Sequence, residues 1–339
     1  MDLSEFELIG RIAGKAESAA RFETGIGDDA AVVRTSGRIV TSVDTAVAGV
    51  HFDRQRPAAE SARKAVASAV SDLAAMGLGT GDTEILVALG APAETPDSYL
   101  EGLADGVIEA AAEFGAELAG GDMVASPVLF LSVTVIAHVD DECPVIGRSG
   151  ARPGDVVAVT APIGGAAAGL KLVRGLEVPA LSDLARDLLV ECQVRPQPQL
   201  AAAPVLARAG VTAMIDVSDG LAADLDHVAT ASGVGIRLEA GEIPIVPGVG
   251  EVAAALGADP LEFAVSGGED YVLALTIPQE RFEAADTDLI GATGFELLAV
   301  GSVEDATGPA SVGIFAEDGS RAATPRGHDH FRGPGAGSR

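Results

Sequence analysis

Residues 214–221 constrain the fold of this chain more than any other stretch. They continue an apolar run that begins at Val211, and two aspartates and a serine follow where that run ends. Apolar residues then recur every three or four positions from Leu221, which predicts an amphipathic helix. The pattern therefore predicts a buried strand that delivers acidic side chains to the start of a helix, with Ser218 as the N-cap.

The same arrangement recurs along the chain. An aspartate beside glycine or serine stands at or near the end of an apolar segment at four further places: Gly27-Asp28-Asp29-Ala30, Ser42-Val43-Asp44-Thr45, Ser71-Asp72-Leu73 and Gly120-Gly121-Asp122. One such turn alone is typical of any capped helix. Its repetition, in two halves that both mix strands with helices, predicts an α/β (α+β) protein whose acids serve one site.

The length of the chain favours two domains, because 339 residues are many for a single core. The longest β-rich run covers residues 128–139 and predicts a central strand. A polar segment rich in glycine, proline and charge follows it. We therefore predict an N-terminal α/β domain over residues 1–145, a C-terminal α/β domain over residues 146–331 and a disordered tail over residues 332–339.

The composition excludes several classes of protein. A net charge of −28 with only three lysines rules out a broad nucleic-acid surface, which needs clustered basic side chains. No apolar run reaches the roughly 18 residues of a membrane span, and the acidic N-terminus lacks the pattern of a leader. We therefore expect a cytoplasmic protein with no membrane partner. The two cysteines, Cys143 and Cys192, have neither disulfide-framework nor zinc-ligand spacing.

Two glycine-rich stretches bear on nucleotide binding. Residues 25–30 superficially fit a dinucleotide fingerprint, but that fingerprint must open a helix, whereas residues 30–33 and 38–43 are predicted to be two strands around a turn. We therefore reject a Rossmann interpretation. Residues 164–170 form a glycine-rich turn into a helix, which either cradles phosphate or merely allows close helix packing. Both interpretations stay open at this point.

Six aspartates are candidates for one site: Asp29, Asp44, Asp72, Asp122, Asp216 and Asp219. Two carboxylates about 4 Å apart repel by about 4 kcal/mol at an effective dielectric of about 20, so a cluster of them requires cations. Ligands that are all oxygens, without His or Cys, favour Mg²⁺, and several magnesium ions in one site are typical of phosphoryl transfer. The alternative is that these aspartates are separate turn and cap residues that never meet.

Seven motifs occur in order along the chain: Gly25-Ile26-Gly27-Asp28-Asp29-Ala30-Ala31, Ser42-Val43-Asp44-Thr45 leading to Gly49-Val50-His51-Phe52, residues 71–77, Gly120-Gly121-Asp122, residues 148–155, residues 215–221 and Ser266-Gly267-Gly268-Glu269-Asp270-Tyr271. This set resembles the motifs of the thiamine-monophosphate kinase family, which belongs to the superfamily of aminoimidazole ribonucleotide synthetase. The resemblance extends from about Phe6 to Phe331.

The resemblance implies two α/β domains of the aminoimidazole ribonucleotide synthetase-like fold, with the N-terminal strands forming a barrel across a homodimer. It also implies that ATP and several Mg²⁺ ions convert thiamine phosphate to thiamine diphosphate by direct in-line transfer. Two alternatives remain. One is another ATP-using enzyme of the same superfamily, and the other is a catalytically silent protein that binds Mg-nucleotide or thiamine diphosphate.

The resemblance also implies roles for individual residues. The magnesium ligands would be the six aspartates above, and the residues lining the same cluster would be Ser42 and Val43. The catalytic set would be Asp44, Asp72, Asp122, Asp216 and Asp219. The ATP contacts would be Gly121, Asp122, Arg148 and Ser218. The substrate contacts would be His51, Glu269 and His328.

Three positions depart from the family pattern. Val43 and Met123 stand where threonine is common, and His328 stands where an aromatic residue is common. Without the resemblance, His51 is better explained as a core histidine. In the same way, Arg148 could be a charge of the domain linker and Glu269 a loop acid.

Overall fold

The computed structural model describes residues 22–24, 32–33 and 37–323, and the chain divides into two compact units. The N-terminal unit comprises the described residues up to Ala74 together with Leu78–Pro144. The C-terminal unit comprises Ala75–Gly77 and the described residues from Val145 onward. The short segment at residues 75–77 belongs to the second unit because the amide of Ile146 donates to the carbonyl of Met76 at 3.0 Å.

The N-terminal unit is built on a four-stranded sheet. Its elements are β1 (Phe22–Thr24), β2 (Val32–Val33), β3 (Arg38–Val47), α1 (Ala58–Ala75), β4 (Thr83–Ala91), α2 (Asp97–Glu113), β5 (Glu117–Ala125) and β6 (Phe130–Val139). The sheet order is β3-β6-β4-β5, in which β4 and β5 are parallel and the other neighbours are antiparallel. The predicted central strand is confirmed, because β6 lies between β3 and β4.

The two strands expected around the turn before Arg38 have different partners. Strand β2 pairs with β1, whereas β3 pairs with β6 along its full length of 10 residues. Strand β3 continues to Val47, so Asp44 lies inside a strand rather than near its end. Asp122 likewise lies inside β5. In both strands, pairing with the neighbouring strand extends beyond the aspartate, to Val47 in β3 and to Ala125 in β5. The apolar pattern of a single segment does not show how far such pairing extends.

Apolar residues three or four positions apart predict a helix over residues 58–76, and α1 confirms it. This helix is buried along most of its length. Every residue from 61 to 71 is buried, because small side chains allow the neighbouring elements to approach closely. A side chain at Gly106 of α2 would lie 2.5 Å from the Cα of Ala59. Arg63 is 6% exposed and forms a bidentate salt bridge with Glu113, at 2.9 and 2.7 Å. No helix in the described part of the chain is long and apolar enough to cross a membrane.

The C-terminal unit is built on a seven-stranded sheet. Its elements are β7 (Asp155–Val159), α3 (Gly165–Val173), α4 (Asp183–Val194), α5 (Ala203–Ala209), β8 (Ala213–Asp216), α6 (Leu221–Ser232), β9 (Gly235–Glu239), α7 (Val249–Leu256), α8 (Pro260–Ser266), β10 (Leu273–Pro278), α9 (Gln279–Thr293), β11 (Leu298–Glu304), β12 (Ser311–Phe315) and β13 (Arg321–Ala323). The sheet order is β13-β12-β9-β11-β7-β10-β8. The mixture of strands and helices in both units confirms the predicted α/β class.

Strand β8 lies at one edge of this sheet, yet all four of its residues are buried. The segment that follows the unit boundary covers its outer side, because the amide of Met214 donates to the carbonyl of Gly147 at 3.0 Å. Ile215 packs in one apolar cluster with Leu221 and Leu225 of α6. Because β8 is buried on both sides, the position and direction of its last residue, Asp216, are fixed.

Candidate functional site

Four side chains of the N-terminal unit form two interlocked hydrogen bonds. Ser42 and Asp44 lie two residues apart on β3 and share one face of the strand, while Ser68 and Asp72 lie one turn apart on α1. The hydroxyl of Ser42 donates to Oδ2 of Asp72 at 2.5 Å, and the hydroxyl of Ser68 donates to Oδ2 of Asp44. Each of these predicted aspartates therefore has a serine of the other element as its partner.

These hydrogen bonds orient both carboxylates. The backbone amide of Thr45 adds a donor to Oδ1 of Asp44 at 2.7 Å. Asp44 and Asp72 are both half-buried, so their oxygens are only partly hydrated. Oriented, half-buried carboxylates on neighbouring elements have the chemistry that a hard divalent cation prefers. Ser68 was not among the predicted residues, although its position one helical turn before Asp72 was a visible signal.

The other predicted residues of the β-sheet are exposed. Asp122 lies on the edge strand β5, where its Oδ1 accepts from the amide of Met123 at 2.9 Å. A side chain at Gly121 would lie 2.1 Å from the carbonyl oxygen of Val87, so glycine is required there. Val43 is 61% exposed and points to the opposite face of β3 from the two polar side chains beside it. The close approach of β4 and β5 thus places Asp122 on the outer strand of the sheet.

His51 lies in the turn that follows β3. Its amide donates to the carbonyl of Val47 at 2.9 Å, and its ring Nδ1 accepts from the amide of the same residue at 3.0 Å. An accepting Nδ1 leaves the hydrogen of the neutral ring on Nε2. The backbone therefore holds a half-buried imidazole with Nε2 as its donor.

The stretch that organises the C-terminal unit has the predicted form. Strand β8 ends at Asp216, which is buried, and helix α6 begins at Leu221. The prediction that Ser218 is the N-cap is wrong, because the N-cap is Gly220. Gly220 has a φ of +112°, and a side chain there would lie 2.9 Å from the backbone of Ser266, so only glycine fits.

The carboxylate of Asp224 takes the capping role instead. Its Oδ2 accepts from the backbone amides of Ser218, Asp219 and Gly220 at 3.0, 3.1 and 3.1 Å. Such N–H groups at a helix start attract an anion. Asp224 was not among the predicted site residues, although an acid in the first turn of a predicted helix was the signal that could have found it.

The environment of Asp224 is strongly acidic. Its burial and the negative charge of Asp216 raise the pKa of Asp224 to about 8, while the hydrogen bond from the amide of Asp219 acts in the opposite direction. Three acids therefore lie around one loop. A cation bound by Asp216 or Asp219 would reduce the repulsion among them.

Glu269, a predicted substrate residue, lies against the same loop. Its amide donates to the carbonyl of Ser218 at 2.8 Å, and the amide of Tyr271 donates to that of Val217 at 2.9 Å. The carboxylate of Glu269 accepts from Nε2 of Gln193 at 2.9 Å. The C-terminal unit therefore brings a predicted ATP residue and a predicted substrate residue together.

The glycine-rich turn before α3 binds a carboxylate of the protein itself. Asp270 accepts from the amides of Gly164 and Ala166 at 2.6 and 3.0 Å, and its burial raises its pKa to about 7. A side chain at Gly169 would lie 1.9 Å from the carbonyl oxygen of Leu189 on α4. Of the two interpretations of this turn, close helix packing is the one that the structure shows, because Asp270 already occupies the position that a phosphate would take.

The remaining predicted residues are Arg148, Asp29 and His328. Arg148 is exposed, and its carbonyl accepts from the hydroxyl of Ser232 at 3.3 Å. Asp29 and His328 lie outside the described residues. Within residues 22–24, 32–33 and 37–323, no three His, Cys, Asp or Glu side chains converge on one metal position. The described acids therefore form two groups. Asp44 and Asp72 lie together in the N-terminal unit, and Asp216, Asp219 and Asp224 lie around the loop after β8 in the C-terminal unit.

Comparisons with known proteins agree along the whole chain. The family model "AIR synthase related protein, N-terminal domain" matches residues 27–139, and the corresponding C-terminal domain model matches residues 152–313. The thiamine-monophosphate kinase of Mycobacterium tuberculosis is 42% identical over 276 residues, which cover 80% of each chain. That of Escherichia coli (strain K12) is 34% identical over 342 residues, which cover 98% of this chain and 100% of the relative.

Two solved structures are similar over almost their full length. A thiamine-monophosphate kinase from Stenotrophomonas maltophilia K279a has a TM-score of 0.80 and 32% identity, covering 95% of this chain and 99% of that chain. A structure described as AaThiL complexed with AMPPCP and TMP has a TM-score of 0.75 and 30% identity, covering 98% and 99%. The fold of the described units is therefore that of AIR synthase related proteins.

We predict that Asp270 makes the stability of the C-terminal unit depend on pH. Its pKa is raised from an ordinary 3.8 to about 7 by folding, so its contribution to stability is full below about pH 4 and is lost as the pH rises through about 7. The free energy of unfolding of the wild type, relative to Asp270→Asn, should therefore fall by on the order of 3 kcal/mol between about pH 5 and about pH 8. Urea denaturation at each pH measures this difference.

The control for this measurement is Asp187→Asn on α4, which replaces an exposed aspartate and should follow the wild-type pH profile. Parallel profiles for the wild type and Asp270→Asn would show that the buried carboxyl does not titrate in this range.

Proposed function

The chain belongs to the thiamine-monophosphate kinase family of AIR synthase related proteins, and from this membership we propose that it transfers the terminal phosphoryl group of ATP directly and in line to thiamine phosphate. The products would be thiamine diphosphate and ADP. The observation that carries the proposal is the likeness, over 98% of this chain, to a structure that holds AMPPCP, an ATP analogue, and TMP, which we interpret as thiamine phosphate.

The residues present fit a reaction that depends on several Mg²⁺ ions. The donors are carboxylate and hydroxyl oxygens, and two of the acids are oriented by serine hydroxyls. We assign the ligands to Asp29, Asp44, Asp72, Asp122, Asp216 and Asp219, with Ser42 and the backbone of Val43 lining the cluster. Bound magnesium would offset the charge of the triphosphate and of the acceptor phosphate.

The capped helix starts support this dependence on cations. A helix N-terminus is a ready site for a phosphate, but Asp224 and Asp270 already occupy those of α6 and α3. The negative charge of the substrates must therefore be offset by other groups. Arg148 supplies one, since a guanidinium binds phosphate oxygens in pairs.

The remaining roles follow the family pattern. Gly121, Asp122, Arg148 and Ser218 would contact ATP, and His51, Glu269 and His328 would contact the acceptor. His51 is suited to donate from Nε2, because its Nδ1 already accepts from the backbone. The acceptor is an ionised phosphate, so the transfer needs neither a nucleophilic side chain nor a strong general base.

The two units would divide the work. We assign dimerisation and binding of the Mg-nucleotide to residues 1–145, and completion of the metal, ATP and substrate site to residues 146–331. The alternatives are another ATP-using enzyme of the superfamily and a catalytically silent protein that binds the same ligands. Oriented Asp44 and Asp72 would serve magnesium binding in each of these proteins, so turnover is what separates them.

Turnover is the direct test of this function. Purified protein with ATP, Mg²⁺ and thiamine phosphate should form thiamine diphosphate and ADP in equal amounts, measured by chromatography. EDTA should abolish the reaction and added magnesium should restore it, because the acids alone would repel the triphosphate. Hydrolysis of ATP without any thiamine diphosphate would refute the proposal.

Asp216→Asn and Asp219→Asn should each lower kcat roughly a hundredfold or more, since a preorganised metal ligand acts mainly on the transition state. Their circular dichroism spectra should match that of the wild type. The exposed Asp288→Asn on α9 is the control and should keep full activity. Full activity of both site variants would show that the loop after β8 has been misinterpreted.

We also propose a homodimer in which the N-terminal strands form a barrel. Strand β3 lies at the edge of its sheet and exposes Ile39 and Val43 to 51% and 61%. Pairing with a second chain would satisfy the backbone groups of this edge and cover both side chains. Sedimentation at micromolar concentration should therefore give the mass of a dimer, and Val43→Lys should shift it toward the monomer. A wild type that sediments only as a monomer would exclude the barrel.

A further inference from the structure

The loop at residues 267–271 is strained at two positions. Glu269 and Tyr271 have φ values of +69° and +51°, and within the described residues they alone among non-glycine residues have positive φ. Residues other than glycine rarely adopt a positive φ, because their Cβ then lies too close to the following carbonyl oxygen. Such a conformation persists where the surroundings over-determine it, and it points to a functional role.

Contacts on both sides over-determine this loop. The amide of Glu269 donates to the carbonyl of Ser218 at 2.8 Å, and the amide of Tyr271 donates to the carbonyl of Val217 at 2.9 Å. Between them, Asp270 accepts from the amides of Gly164 and Ala166 at the start of α3. The backbone on each side of the Glu269 side chain is therefore fixed, and only the side-chain torsions remain to be set.

Gln193 on α4 sets the direction of the Glu269 carboxylate. It is 5% exposed, and its Nε2 donates to Oε2 of Glu269 at 2.9 Å. The opposite orientation of the carboxamide would place its oxygen against a carboxylate, so Glu269 fixes which way the amide points. In this orientation Oε1 of Gln193 is buried and has no hydrogen-bond partner among the described residues.

Packing alone does not explain a glutamine at this position. Gln193 lies where α3 and α4 approach closely, with its Cβ 3.0 Å from where a Gly169 side chain would begin. A methionine would fill a similar volume without burying an unpaired carbonyl. The polar side chain therefore costs stability, and its visible effect is the hydrogen bond to Glu269.

We infer that Gln193 is a positioning residue of the acceptor site, which holds the Glu269 carboxylate in the orientation that meets the cationic ring of the acceptor. This inference rests on the proposed function, in which Glu269 contacts thiamine phosphate. The thiazolium ring of thiamine carries a permanent positive charge, so a carboxylate of fixed direction distinguishes it from neutral rings. Gln193 itself does not touch the substrate.

Gln193→Met tests this role. The variant should raise KM for thiamine phosphate roughly tenfold and KM for ATP less than about twofold, because a positioned charge-assisted contact to one substrate is lost. Its Tm should equal or exceed that of the wild type, since the unpaired carbonyl is removed. Gln199→Met is the matched control: Gln199 is a half-buried glutamine that donates to the carbonyl of Gln197 at 3.1 Å, and this variant should leave both KM values unchanged.

A double variant separates positioning from a general structural effect. In a Glu269→Ala background, Gln193→Met should add nothing to KM for thiamine phosphate, because Gln193 acts through the missing carboxylate. Additive effects, an equal rise of both KM values, or a lower Tm with unchanged KM values would each overturn the inference. A wild type that forms no thiamine diphosphate in the same assay would refute the proposed function, and the inference with it.

Discussion

The loops of the C-terminal unit depend on one carboxylate oxygen that accepts three backbone amides. Oδ2 of Asp224 binds the N–H groups of residues 218–220, and this contact fixes the turn between β8 and α6. The carbonyls of Val217 and Ser218 in this turn accept from backbone amides of the 267–271 loop and so fix that loop. Without this internal acceptor, these amides would need water or a ligand, and the loop would lose its defined shape.

The same solution occurs a second time, at the start of α3. Asp270 fills that helix N-terminus, and burial raises the pKa of both capping carboxyls well above the ordinary value. Two acids of the C-terminal unit, Asp224 and Asp270, therefore bind backbone amides and fix the conformation of two helix starts. With these two helix starts occupied, the proposed dependence on magnesium would offset the charge of an anionic substrate.

In the N-terminal unit, orientation comes from side-chain hydroxyls rather than from backbone amides. Ser42 and Ser68 each hold an aspartate of the other element, so β3 and α1 fix one another's acids. This exchange requires that the helix lie close to the strand. The small side chains of α1, buried from residue 61 to 71, make that approach sterically feasible.

The sequence by itself determined the class of fold, the helix at α1, the central strand β6 and the strand that ends at Asp216, because apolar periodicity and turn residues are local properties. Family motifs added the kinase assignment. Only the tertiary structure decided that Gly220 and Asp224 rather than Ser218 cap α6, that Asp270 occupies the glycine-rich turn, and that Gln193 holds Glu269. The last two outcomes depend on which donor meets which acceptor across long separations in sequence, and local patterns carry no record of such pairings. The cap of α6 is a local contact, but it depends on the backbone conformation at Gly220, which the apolar pattern does not determine.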